Sequence, residues 1–219
     1  MKAGSVIAID GAAGSGKSTL ARSLARVVRL PYVNTGLMYR ALTASAIRRG
    51  VSEDDVEGLL DITRGLRFTF GGSDPHELKV EGFDDRALTT PDVERSVSAV
   101  SRHPRIRAWM HEVQRALGAE GAVVEGRDIG SVVFPDAVVK LYLEAAPAKR
   151  IERRARERSR AGSDDIAAVL EGRDQLDART TPPTPPPGAV VIDTDSLDAD
   201  ATLRTAIALI RQLAPELVP

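Results

Sequence analysis

The chain has 219 residues, 42% of them hydrophobic and 28% charged, with a formal net charge of −1 at pH 7. This length supports a sizeable buried core, and the near-neutral balance excludes a protein that coats polyanions or lies on a membrane surface. With no cysteine, disulfides, thiolate nucleophiles and cysteine metal sites are excluded as well.

No apolar stretch approaches membrane-spanning length and the N-terminal residues carry no signal-peptide core, so the expected location is cytoplasmic. Of the 30 basic residues, 25 are arginine. Arginine grips phosphate bidentately, so its positions along the chain carry information.

In chain order, "SVIAID" (Ser5 to Asp10) is a short apolar run leading straight into glycines, which predicts a buried parallel strand. "KSTLARSLARVVRL" from Lys17 sets Leu20, Leu24, Val27 and Val28 on one helical face, and Pro31 stops it. "YVN" predicts a second strand, followed by a helix from about Leu37 to Arg49 that Gly50 closes. "SEDD" (Ser52 to Asp55) has the form of a capping box opening another helix. "LRFTF" and "ELKVEG", separated by "GGSDPH", read as an antiparallel hairpin inserted into the alternating pattern.

Thr90 and Pro91 supply the cap and first position of the next helix. A further helix starts near Pro104, with Trp109 and Met110 expected in the core. "AVVEG" and "VVKLYLEA" return to strands, and an arginine-rich helix runs from about Pro147 to Arg160. "AVVIDT" and a helix from about Asp198 to Leu213 close the chain. Strands alternating with helices predict a parallel sheet covered on both faces. His76, His103 and His111 show no metal-ligand spacing.

"GAAGSGKS", Gly11 to Ser18, fits G-x-x-x-x-G-K-[ST] in full, with a strand before it and a helix starting inside it. Gly11, Ala12, Ala13, Gly14, Ser15 and Gly16, with Thr19 just beyond, are expected to cradle a nucleoside triphosphate through backbone N–H groups. Lys17 reaches the β- and γ-phosphates, and the Ser18 hydroxyl suits Mg²⁺. The chain lacks the N-K-x-D run of a GTPase switch and the L-S-G-G-Q signature of ABC ATPases, which leaves kinases of small acceptors. Four stretches offer an acceptor site: "NTGLMYR" with Thr35 and Arg40, "SAVSRHPRIR" with Ser98 and Arg107, "VVEGRDIG" with Arg127 and Asp128, and "RDQLDAR" with Arg173, Asp177 and Arg179.

Phosphate loop, "TGLMYR", "HPRIR", "GRDIGSVVFPDA", "RIERRARER" and "RDQLD", in this order, resemble the bacterial cytidylate kinases over nearly the whole chain. The resemblance implies an α/β fold: a five-stranded parallel sheet with helices on both faces, of the P-loop nucleoside monophosphate kinase type. It further implies a core of residues 1–35, 118–148 and 180–219, and a monophosphate-binding region over 36–117 with an inserted three-stranded piece near 66–86. A lid and adjoining helix would span 149–179, the lid carrying Arg150, Arg153 and Arg154. It implies ATP and Mg²⁺, with CMP and dCMP as acceptors, in a monomer that binds neither nucleic acid nor membrane.

By the same resemblance Ser98, Arg107 and Asp128 read the cytosine, while Arg40 and Arg127 hold the acceptor phosphate. Arg173 and Asp177 lie near the pentose, Thr35 contacts the substrate, and Lys17, Arg127, Arg153 and Arg154 act on the transferring phosphoryl. Two positions depart from the pattern. Asn34 stands where the family usually has Asp, and Thr180 where it has an arginine. Arg179 sits one residue early, a rotation of about 100° on a helix.

Competing readings are a related P-loop kinase with another acceptor, and a nucleotide-binding scaffold using the P-x-x-P run from Pro182 to Pro185 as a docking motif. For single residues they are Thr35 as a helix cap and Arg127 with Asp128 as a surface ion pair. Arg153 and Arg154 would then form a solvated face paired with Glu152 and Glu157.

Overall fold

The first strand, β1 (Val6–Gly11), is buried along its whole length. Val6 and Ala8 turn to one face of the sheet, Ile7 and Ile9 to the other. A strand apolar on both sides belongs in the middle of a parallel sheet, and in the computed structural model β1 has β5 (Ala122–Gly126) on one side and β6 (Val139–Glu144) on the other. β2 (Tyr32–Asn34) lies outside β5, and β7 (Val190–Asp193) outside β6, all parallel. The order is therefore β2-β5-β1-β6-β7, the five-stranded parallel sheet expected above. The structure describes residues 4–72, 74, 76–158, 166–178, 180–181 and 184–218.

One face of the sheet is covered by α1 (Lys17–Val28) and α8 (Ala199–Leu213), which pack Leu20, Leu24, Ala206 and Ile210 against Ile7, Ile9 and Leu141. The other is covered by α2 (Thr35–Arg49), α3 (Val56–Thr63), α4 (Pro91–Ser101) and α5 (Pro104–Gly118). Met38, Leu42, Leu59, Ile106 and Met110 fill that layer, with Trp109 partly buried against it. Each fully buried Leu, Ile or Met contributes about 1.5–3 kcal/mol, so these two layers hold the strand ends that carry the site.

Local details differ from the sequence reading in instructive ways. α2 starts at Thr35, two residues early, because Asn34 is its cap: Asn34 Oδ1 accepts from Leu37 N at 2.9 Å. α3 is capped by Asp55, whose Oδ1 accepts from Gly58 N at 2.9 Å, and not by Ser52. Ser52 Oγ instead accepts from Asp54 N in the preceding turn. Either residue type caps well, and the one adjoining the first helical turn prevails.

The inserted piece has two strands among the described residues, β3 (Phe68–Phe70) and β4 (Leu78–Val80), not the three that the resemblance implies. The hairpin is tied to the edge of the main sheet through Tyr32 N, which donates to His76 O at 2.7 Å. After β6 come α6 (Pro147–Arg158) and α7 (Ile166–Ala178). No helix among the described residues is long and apolar enough to cross a membrane.

Candidate active site

The phosphate loop lies between β1 and α1, at the carboxyl end of the sheet, where open α/β folds place ligands. Gly11 is fixed by geometry: its φ is +146°, and a Cβ there would lie 2.4 Å from Leu143 O. Gly16, at φ +98°, turns the loop into α1. The first turn of that helix presents amides without intrahelical partners, backed by the helix dipole. Ser15 Oγ is buried with no hydrogen-bond partner among the described residues. Lys17 Nζ donates to Ala12 O at 2.7 Å, which holds the ammonium across the loop.

Ser18 Oγ donates to Glu125 Oε2 at 2.9 Å. Glu125 is 3% exposed near the end of β5, beside β1. A hydroxyl paired with a carboxylate at the end of a phosphate loop is an oxygen donor set suited to Mg²⁺. Thr35 is buried, and its Oγ1 donates to Glu125 O at 2.7 Å. The cap reading for Thr35 is therefore replaced: Asn34 is the cap, and Thr35 ties α2 to β5.

Beyond β5 the chain makes a wide helical turn over Ile129–Val133, closed by Phe134 N donating to Ile129 O at 2.7 Å. Asp10, at the end of β1, holds this turn from beneath. Its two carboxylate oxygens accept from Ile129 N and Gly130 N, each at 2.8 Å. Burial nevertheless pushes the Asp10 carboxyl above its usual range. The turn and its anchor set Arg127 and Asp128 at the mouth of the cleft.

Three ion-pair groups gathered from distant helices line that cleft with the phosphate loop. Arg127 Nη1 donates to Gly11 O at 3.1 Å, and Nη2 pairs with Asp177 Oδ2 at 2.6 Å. Asp177, on α7, also accepts from Ser98 Oγ on α4 at 3.3 Å. Arg107, on α5, pairs with Asp128 and donates to Thr181 Oγ1 at 3.3 Å. One turn further along α5, His111 Nε2 lies 3.1 Å from Asp128 Oδ2. Burial opposes the Asp128 charge, but His111 and the Arg107 guanidinium outweigh it and hold the carboxyl below its usual range. Arg40 Nε and Arg154 Nη2 meet on the Glu94 carboxylate at 3.0 and 3.1 Å.

Arg127 and Asp128 thus each take a partner from a different helix, unlike a local surface pair. The adjacent arginines of α6 part company. Arg154 reaches Glu94, whereas Arg153 Nη1 donates to Ser15 O at 3.2 Å and to Thr194 Oγ1 at 2.9 Å. Arg153 lines a second cleft, between the phosphate loop and the turn after β7. Arg150 braces the loop from behind, donating to Ala13 O at 3.2 Å and pairing with Asp174 at 2.5 Å. Glu152 pairs with Lys149 and Arg156, on the exposed side of the helix. The Glu157 and Arg173 side chains and all of Arg179 lie outside the described residues. Thr180 lines the cleft.

Sequence reasoning missed Glu94, Glu125, Asp174 and Thr194. Only Glu125 left a signal, an acidic residue ending an apolar strand. The others gain their places through helix packing.

A parallel sheet, a phosphate loop after its central strand and an arginine-lined cleft at the same strand ends define a P-loop phosphotransferase. Residues 7–212 match the family model of cytidylate kinase. The cytidylate kinase of Thermus thermophilus is 39% identical over 209 residues, covering 94% of this chain and 99% of that protein. The cytidylate kinase of Rhodococcus jostii is 38% identical over 218 residues, covering 94% and 95%. A bifunctional pantoate ligase/cytidylate kinase of Synechococcus sp. is 38% identical over 95% of this chain, which spans 41% of that longer protein. The chain belongs to the cytidylate kinase family.

Proposed function

We propose that this enzyme transfers the γ-phosphoryl group of ATP, with Mg²⁺, to CMP and dCMP. The observation that carries the reading is the cleft itself. Arg107–Asp128, Ser98–Asp177, Arg40, Arg127 and Arg154 line it together with Lys17 and Ser18 of the phosphate loop. A guanidinium next to a carboxylate offers donors and an acceptor together, the complement of a cytosine edge. Asp177 joins Ser98 to Arg127, which suits a pentose between base and phosphate.

The acceptor is a phosphate monoester with a second pKa of about 6, so its oxygen is anionic at neutral pH and needs no general base. The difficulty is bringing two polyanions together. Arg40 and Arg127 would hold the acceptor phosphate, and Arg154 would complete the clamp from α6. Lys17 and the loop amides would take the β- and γ-phosphates. Ser18 and Glu125 would hold Mg²⁺, which when bound supplies further neutralisation of phosphate charge. Arg150 and Arg153, which donate to the loop carbonyls of Ala13 and Ser15, would stiffen the loop, with Arg153 also beside the transferring phosphoryl. Closure of 149–179 over the nucleotides would exclude water and protect ATP from hydrolysis. The enzyme would act as a monomer in the cytoplasm on small nucleotides, binding neither nucleic acid nor membrane.

Pro182 and Pro183 of the proline run lie outside the described residues; beyond them Pro186 is buried and Lys140 Nζ donates to Pro187 O at 3.2 Å, which supports a loop packed on the kinase core over a free docking motif. A steady-state comparison of CMP, dCMP, UMP, dTMP, AMP and GMP as acceptors tests the reading. CMP and dCMP are expected to have the highest kcat/KM; a better acceptor among the others would overturn the assignment.

A further inference from the structure

Glu125 is a buried carboxylate, and burial of an ionised group is tolerated only where hydrogen bonds satisfy it. Its two oxygens are divided. Oε2 accepts from Ser18 Oγ at the phosphate loop, and Oε1 accepts from the phenol of Tyr32, which is 2% exposed on β2. Asn34, two residues along the same strand, donates its amide Nδ2 to the Tyr32 oxygen at 3.2 Å. The strand register makes this possible, since Asn34 pairs directly with Glu125 across β2 and β5.

The roles of these groups are fixed by their chemistry. Asn34 Oδ1 is taken by the helix cap to Leu37 N, so its nitrogen is the atom turned to Tyr32. That donated bond occupies the acceptor side of the phenol and leaves its O–H to point at Glu125. The Arg22 guanidinium lies 5.7 Å above the ring and pairs with Glu77, closing the outer side. An aspartate at position 34 would still cap α2. It would also replace the donor with a second acceptor competing for the phenolic proton. The amide at position 34 and the tyrosine at position 32 therefore make sense only together.

We infer that Tyr32 and Asn34 are positioning residues that lock the rotamer of Glu125, so that Oε2 stays committed to the Ser18 end of the phosphate loop where a divalent cation would sit. The inference rests on the Mg²⁺-dependent reading above but not on the identity of the acceptor. Groups that orient metal ligands typically matter about 10–100-fold in metal affinity.

The test is Mn²⁺ binding to the full chain with a non-hydrolysable ATP analogue, free Mn²⁺ being read by electron paramagnetic resonance. Tyr32→Phe keeps the ring and removes the donor, and Mn²⁺ affinity is expected to fall about tenfold or more. CMP affinity and the far-ultraviolet spectrum should stay as in the wild type. Asn34→Ser keeps a good cap but is too short to reach the phenol, and should give a smaller loss in the same direction. Wild-type Mn²⁺ affinity in Tyr32→Phe, or in Asn34→Ser should the former fail to fold, would overturn the inference. Failure of the wild type to phosphorylate CMP or dCMP would instead overturn the acceptor assignment and leave this measurement standing.

Discussion

Replacing Arg107 by leucine strips a buried carboxylate of its cation while keeping much of the apolar bulk. The two side chains are 17% and 10% exposed, so solvent screens the pair only weakly. Removing one partner of such a pair typically costs about 3–5 kcal/mol, because the remaining charge is left buried. Some water reaches Arg107, and His111 Nε2 still lies 3.1 Å from Asp128, so the low end of about 3 kcal/mol is expected. At about 2–4 °C per kcal/mol for a domain of this size, the melting temperature should fall by roughly 6–12 °C. Adding Asp128→Asn removes the orphaned charge and should recover most of that loss. Scanning calorimetry at neutral pH on the two single variants and the double variant makes the comparison. In parallel, CMP affinity should drop about 10–100-fold in Arg107→Leu, the loss of charge-assisted hydrogen bonds, while ATP affinity holds. The reasoning is refuted if Arg107→Leu melts with the wild type, or if the double variant melts no higher than the single one.

Three further outcomes can be checked. Lys17→Ala should reduce kcat by about 10²–10³ or more with CMP affinity retained by calorimetric titration; loss of CMP binding as well would mean that the loop had collapsed. Gly11→Ala forces a Cβ against Leu143 O at positive φ and should cost about 3 kcal/mol or more, seen as a lower urea midpoint. An unchanged midpoint would show that the strand end yields more easily than its packing implies. The Asp128 carboxyl titrates below its ordinary value of 3.8 in the fold, so its stabilisation is complete above that value and fades as pH falls through the folded one. Melting scans from about pH 5 to pH 2 should therefore show a stability loss that begins near the ordinary value and is smaller in Asp128→Asn. Parallel curves for both proteins would deny Asp128 this role.

The phosphate loop was legible because everything it needs is contiguous. Gly11, Gly16, Lys17 and Ser18 fall within one run of eight residues, and the strand before and helix after them are set by local apolar pattern. The same holds for the alternating sheet and for Thr90 and Pro91 opening α4. The acceptor cleft was legible only as separate candidates, arginines together with Thr35, Ser98, Asp128 and Asp177. Which carboxylate each arginine would meet was hidden, because Glu94 reaches Arg40 and Arg154 from 54 and 60 residues away. Thr35, expected to contact the substrate, does line the cleft, and the competing cap reading fails because Asn34, next to it, takes that place. The neighbours Arg153 and Arg154 show the limit most clearly. Their chemistry is identical in the sequence, but a step of about 100° along α6 sends one to the Ser15 carbonyl and Thr194 and the other, which lines the cleft, to buried Glu94. The sequence by itself determined the class of chemistry through its contiguous loop. The division of labour among its arginines was decided by tertiary packing, since only the docking of α4, α6 and α7 around the sheet puts carboxylates within reach of them.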